Sequence, residues 1–550
     1  MSAGSDTAEN LFLLAEKAAL QNRPGDAVRY SLGAMRAAPG SIVYKRAFIR
    51  FAAAAPLLEY DPDLAEALRI CLETSGVDCA AADVLWGRLL LFHPAFGPLY
   101  RRVLKKRLFF GWKNPFEGVS DLTPLLDPFF VLGAQTIVVR YLPFEKFMTL
   151  LRAFLLDHPD DTALAALTES MARYCYNTDY IFDVKPAEGK KVAALRARIE
   201  NGETADERSL VLLACYIPLF HLKNAKTLQK RWGQGALAGL IQQQIGEGEA
   251  LQLQAQSLEA LTDSDDDVSL KVREMYEESP YPRWRELTET DIVHWPEDGK
   301  CLNRKGARAL IAGCGTGRES AQLAAAWPEA EILAIDMTRA SLAYATAKAA
   351  EYHLENVRYK QADILKLDTV LKPDFDYVHC VGVLHHMQDP VRGWEVLAGL
   401  VKPGGTMFIG LYGEIPRRSI VAARNFIAQG KYPATAEGMR AFRRDAPKLL
   451  TPAHYATLLK ALDYYHLNMY RDLLFHVHEC RFTLPQIVEA LKKLGLVFGG
   501  FKLPEAVLAE YRGKFPEDAE ALDLDNWQRF EQEFPDTFIH SYKFWCHKNI

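Results

Sequence analysis

Gly313, Gly315 and Gly317 fall in the stretch Arg308–Ser320, RALIAGCGTGRES. Glycines so spaced allow positive φ and let a ligand come close to the backbone. Asp336 and Asp363 follow. One carboxylate can accept two hydrogen bonds from ribose hydroxyls, and a second can accept from an adenine amino group. Further on stand the tandem His385 and His386, then Tyr412 and Glu414. A histidine or a glutamate can take a proton where its pKa suits the working pH. Together these residues could hold a nucleoside and act beside it.

The elements that must position them alternate. Arg308–Ala312 reads as a buried strand, Glu319–Ala326 as a helix and Glu331–Ile335 as a strand ending in Asp336. A helix over 339–353, a strand over Val357–Gln361 and another over 376–381 follow. The pattern closes with a helix over 390–401 and a strand over 406–411. Such alternation predicts an α/β fold with a doubly wound parallel sheet and right-handed crossovers. The chemistry-bearing residues all sit just after strands, where this architecture binds ligands.

The ribose-facing acid alone would suit NAD, but the turn is GCGTG rather than GxGxxG. It lacks the spacing that seats a pyrophosphate on a helix N-terminus. Gln361-Ala362-Asp363 follows the third strand, and the run Val381–Met387, VGVLHHM, follows the fourth. Lys402-Pro403-Gly404-Gly405 precedes the fifth. Over residues 308–412 this set resembles the class I S-adenosylmethionine-dependent methyltransferase family. The resemblance implies a seven-stranded sheet and S-adenosyl-L-methionine as cofactor. It places Gly313, Cys314, Gly315 and Gly317 along the methionine part and Asp336 with Met337 at the ribose. It puts Asp363 with Ile364 at the adenine, and Val383 and Leu384 near the methyl donor. The remainder of such a sheet is present. Thr483 and Gln486 form a capping-box start. A helix over Leu484–Leu494 leads to a strand over Leu496–Phe501, with a helix over 518–534 beyond. A last strand over 538–547 is antiparallel, as the resemblance implies.

Methyl transfer from a sulfonium is an in-line displacement, in which the protein mainly aligns donor and acceptor; no metal is expected. His386, His385, Tyr412 and Glu414 are the catalytic candidates, against a packing role for the histidines and a structural contact for Glu414. Tyr276, Tyr281 and Trp284 lie in MYEESPYPRWREL and would cover the adenosine, line an acceptor pocket, or plug the space between domains. Arg417, Arg418 and Arg424 would clamp a carboxylate or phosphate, or form a solvated face. In RDLLFHVHECR, His476 and His478 would begin a metal site with His540 or His547 if the stretch is a strand. A hydrogen-bonded network closing the substrate pocket is the preferred reading.

Residues 1–255 read as a helical domain, either an irregular solenoid whose segment Leu11–Pro39 resembles one tetratricopeptide repeat or, equally, a plain helical bundle that shields the catalytic domain. The basic run Arg101, Arg102, Lys105, Lys106 and Arg107 reads as a solvated face. Residues 256–285 form a linker and aromatic lead-in, 286–412 the cofactor-binding core, 413–480 a helical insertion on the acceptor side, and 481–550 the end of the sheet. Net charge is −5, which argues against a nucleic-acid coat. Nine cysteines without a CxxC pair fit reduced core thiols in a cytoplasmic protein. The start carries no leader-like pattern and no apolar run is long enough for a bilayer. The expected activity is methylation of a protein or peptide held by the helical half, and a homo-oligomer is compatible with it. Methylation of a small anionic molecule or a transfer RNA, and a cofactor-binding scaffold or sensor without turnover, stand as alternatives.

Overall fold

The computed structural model describes residues 3–54, 57–109, 114–203, 206–263, 266–278, 284–287, 301–539 and 541–549. The chain forms two compact units. One comprises Met1–Glu249 with Pro433–Arg444 and Leu459–Tyr470, the other Ala250–Tyr432 with Asp445–Leu458 and Arg471–Ile550. The segment 413–480 is therefore divided between the units.

The first unit is helical throughout its described residues. Pro24, Pro62, Pro128 and Pro186 open helices, where a missing N–H costs nothing. Asp61 caps one by accepting from the N–H groups of Asp63 and Leu64. Helices Ala3–Leu20 and Pro24–Ala37 bury Ala15, Ala27 and Ala34, small residues that permit close approach. The glutamine-rich stretch is not wholly solvated. Gln242–Gly246 makes a π-helical turn, and the buried Gln244 side chain accepts from the Tyr180 hydroxyl and the Leu219 N–H. Charge is buried here too. Arg152 reaches Glu188 at 3.0 Å, and Arg443 reaches Glu145 at 2.8 Å.

The second unit is built on seven strands. These are β1 Arg308–Ala312, β2 Glu331–Asp336, β3 Val357–Gln361, β4 Phe375–Val381, β5 Val401–Tyr412, β6 Leu496–Phe501 and β7 Ser541–Lys548. Their order is β3-β2-β1-β4-β5-β7-β6. The first five are parallel, and β7 runs antiparallel to both β5 and β6. The order reverses between β1 and β4, which puts the binding crevice at the carboxyl ends of those strands. Buried, mostly apolar runs in β1 and β4 suit strands covered on both faces.

Two elements depart furthest from the sequence reading, and the last strand, expected over 538–547, runs Ser541–Lys548. Lys402–Gly405 lies inside β5 rather than before it: Phe375 pairs with Val401, the register shifts, and pairing resumes at Tyr377 and Thr406. Gly404, at φ +75°, takes up the irregularity. The expected helix over 518–534 is shorter, Leu524–Glu533, because Asp518 instead folds a turn by accepting from the N–H groups of Leu522 and Asp523. Thr483 does donate its N–H to Gln486 Oε1 at 2.8 Å, and Gly495, at φ +65°, ends that helix. Among the described residues no helix is long and apolar enough to cross a membrane.

Candidate active site

A cavity of about 420 Å³ opens at the carboxyl ends of β1 to β5. The turn after β1 forms one wall. The N–H groups of Gly313 and Cys314 both donate to the Ile335 carbonyl at 2.8 Å, locking the turn onto β2. Gly313 has φ +75°, and a Cβ there would lie 2.2 Å from Val383, so only glycine fits. Gly315 donates its N–H to Asp336 Oδ2 at 2.8 Å. Asp336 Oδ1 accepts from the N–H and the hydroxyl of Thr338 at 2.9 and 2.7 Å. Burial pushes the Asp336 carboxyl above its ordinary range, and the donors of Thr338 and Gly315 pull it part-way back. Asp363 Oδ1 caps the next short helix through the Leu365 N–H at 2.9 Å. Both acids line the cavity, with Met337, Ile364 and Val383 as its apolar lining.

The residues after β4 part company. His386 lines the cavity, whereas His385 and Leu384 are fully buried and do not. His385 accepts the Tyr412 N–H on Nδ1 at 3.2 Å and stacks on the Tyr412 ring at 3.5 Å. Tyr412 lines the cavity with the Arg417 guanidinium 3.7 Å over its ring. His386 Nδ1 lies 2.8 Å from the His478 carbonyl. Burial lowers the His386 pKa to about 4, against a smaller opposing pull from that carbonyl.

Several expected site residues serve the fold instead. Gly317 is a packing position, since a Cβ would meet Ala345 at 2.5 Å. Glu414, away from the cavity lining, pairs with Arg481 at 2.8 Å. The three arginines lie off the cavity lining. Arg417 is buried in an ion pair with the equally buried Glu479 at 2.6 Å, and Arg418 pairs with Asp536 at 2.5 Å. Arg424 donates to the His476 carbonyl at 2.9 Å. Arg417 and Arg424 thus have partners within the fold, and the Arg418 pair with Asp536 lies at the surface. Trp284 packs inside the sheet unit, away from the cavity lining: its Nε1–H donates to the Thr316 carbonyl at 2.9 Å, and its ring stacks on Tyr352. Tyr276 lines the cavity and donates its hydroxyl to Asp472. Tyr281 and His540 lie outside the described residues, and His547 bonds Thr406 at 3.1 Å.

Asp472 is not singled out by the sequence, and His476 is singled out only as the partner of His478 in the stretch RDLLFHVHECR. No strand forms there. The stretch instead brings Asp472 and His476 to His386: one ring nitrogen of each histidine and a carboxylate oxygen of Asp472 lie within 4.8 Å of one another. Arg273, Arg318 and Glu319 also line the cavity; Glu319 pairs with the buried His379 at 2.7 Å. Nothing local in their spacing marks them out.

Residues 303–440 match the family model of a methyltransferase domain. The order of the strands and the antiparallel β7 are those of the class I methyltransferase fold. An uncharacterized protein of Synechococcus sp. is 30% identical over 261 residues, covering 43% of this chain and 60% of that one. A ubiquinone biosynthesis O-methyltransferase of Alkalilimnicola ehrlichii is 35% identical over 124 residues, covering 22% and 49%. A trans-aconitate 2-methyltransferase of Deinococcus radiodurans is 31% identical over 164 residues, covering 29% and 58%. The chain thus spans between 49% and 60% of the length of these relatives.

Proposed function

We propose that this protein is an S-adenosyl-L-methionine-dependent methyltransferase, acting on a protein or peptide recognised by its helical unit. The observation that carries the chemistry is the convergence of the glycine turn, Asp336 and Asp363 on one cavity at the carboxyl edge of the sheet, inside the matched domain. The residues present fit the cofactor. The volume is in the range of small-molecule sites. Asp336 would accept from the ribose hydroxyls, Asp363 with Ile364 would hold the adenine, and the Gly313–Gly315 backbone with Arg273 and Arg318 would hold the charged methionine end. Bound there, the cofactor supplies an electrophilic methyl group. This chain's own part is alignment: Val383 and Gly313 shape the wall, and Tyr412, held by His385 and Arg417 against its ring, presents a fixed edge. His386, neutral and facing the cavity, is placed to take a proton from the acceptor.

The support for a protein or peptide acceptor is the helical unit, read as a tetratricopeptide-like solenoid with a surface for a chain to lie on. A small-molecule acceptor is the second reading, favoured by relatives whose names specify ubiquinone biosynthesis and trans-aconitate. The test is incubation of the full chain with methyl-labelled S-adenosylmethionine and cell extract, separating macromolecules from small molecules. Label in a discrete protein band supports the first reading, and label in the small-molecule fraction the second. Donor binding with label in neither would leave a cofactor-binding scaffold or sensor.

A further inference from the structure

The geometry points to a hydroxyl oxygen as the methyl acceptor, hydrogen-bonded between His386 and His476, with His386 receiving its proton. This rests on the methyltransferase reading above and names the acceptor atom within it. The warrant is the tautomeric state that the backbone of His478 imposes on both rings. The His478 carbonyl can only accept, so His386 Nδ1, 2.8 Å away, carries the proton and Nε2 keeps its lone pair. The His478 N–H can only donate, so His476 Nδ1, 3.1 Å away, is bare and Nε2 carries the proton. One residue's two backbone groups thus set one imidazole as an acceptor and its neighbour as a donor. The rings stack at 3.6 Å. His476 is 3% exposed, and its Nε2 has no hydrogen-bond partner in the protein. A buried donor left so is costly unless a ligand satisfies it.

The inventory then selects the acceptor. A hydroxyl donates once and accepts twice. It can donate to His386 Nε2, accept from His476 Nε2–H, and keep one lone pair for the methyl carbon. A neutral amine has a single lone pair, and accepting from His476 would occupy it. A carboxylate has no proton for His386 and would meet the charge of Asp472. A metal ion would need a bare nitrogen on both rings, which the protonated His476 Nε2 does not offer. In the step itself, the acceptor oxygen forms the new C–O bond as the methyl–sulfur bond breaks, with that bond's electron pair remaining on the neutral thioether. The O–H proton passes to His386 Nε2, which becomes imidazolium. A weak base suffices, because the O–H turns acidic as its oxygen shares a lone pair. Asp472, accepting from Tyr276, stands beside the developing imidazolium and stabilises it.

Two measurements on the full chain test this. Long-range ¹H–¹⁵N correlation at neutral pH reads the tautomers directly, assigned with His386→Gln and His476→Phe. His386 protonated on Nδ1 and His476 on Nε2 is expected, and the opposite tautomer in either overturns the assignment. Products formed from labelled S-adenosylmethionine and cell extract are then sorted by chemistry. A methyl ether, stable to alkali and without added charge, is expected. A base-labile ester or a cationic methylamine overturns the hydroxyl assignment, as does stoichiometric Zn²⁺ binding that His476→Phe abolishes. His476→Phe keeps the stack while removing the donor, and should lower turnover about 10- to 100-fold with donor affinity unchanged. Flat calorimetry with S-adenosylmethionine would instead overturn the underlying methyltransferase reading.

Discussion

Each unit of this protein buries a polar cluster, and the two differ in whether the cluster meets a cavity. In the helical unit Arg152 meets Glu188 at 3.0 Å, the Tyr216 hydroxyl donates to the same carboxylate at 2.6 Å, and the guanidinium lies 4.2 Å over the Tyr216 ring. In the sheet unit His386 and Asp472 line a cavity, and the neighbouring His476 has a ring nitrogen with no partner. The first cluster holds its unit together, although Arg152 Nε too has no partner in the protein. The second borders space that a ligand can occupy, so its removal should be felt in turnover first.

The sharpest break should come from His386→Gln. It is expected to lower turnover by about 10²- to 10⁴-fold, as loss of a positioned proton acceptor does, while the unfolding midpoint stays near that of the parent protein. Steady-state kinetics beside a denaturant titration checks both. Glu188→Ala should do the converse. It strands the buried Arg152 and should cost roughly 3–5 kcal/mol of stability, with donor affinity kept, as read by urea unfolding and calorimetry at low denaturant. Acid should sharpen the contrast. Burial holds the His386 pKa near 4, and those of His385 and His476 well below the ordinary histidine value. Between about pH 6.5, the ordinary histidine value, and pH 4 the unfolded chain binds protons that the folded chain refuses. Stability therefore rises with pH across that window and is lost as acid is added. Urea midpoints at pH 7 and pH 5 should differ in that direction, and equal midpoints would contradict neutral buried imidazoles. The smallest effect belongs to Tyr276→Phe, which removes the hydroxyl bonded to Asp472; a loss of about tenfold in turnover, with little change in stability, is expected.

What could be read beforehand follows the range of the physical signal. β1, β6 and the helix Leu484–Leu494 fall on the residues expected, because alternation, a capping box and a terminal glycine are local. The glycine turn, Asp336 and Asp363 were legible for the same reason: a turn that needs positive φ and acids at strand ends announce themselves within a few residues. The arginines were not. Whether Arg417 meets a ligand or Glu479 depends on a partner far along the chain, and no spacing around Arg417 records it. Likewise His476 and His478 stood out as a pair, yet their meaning came from His386, which the fold brings to them. Trp284 shows how an aromatic lead-in reads the same whether it covers a ligand or plugs a core. Its indole bond to the Thr316 carbonyl, off the cavity lining, is a long-range contact that no local spacing records.

The central claim is that Asp336 and the turn after β1 hold a nucleoside sulfonium. Calorimetric titration of the full chain with S-adenosyl-L-methionine, repeated on Asp336→Ala, tests it most directly. One binding site per chain is expected in the parent protein, with binding weakened by about 100-fold or more in the variant, since the acid holds the turn and would also accept from the ribose hydroxyls. Equal affinity in the two proteins, or no heat in the parent, would contradict it.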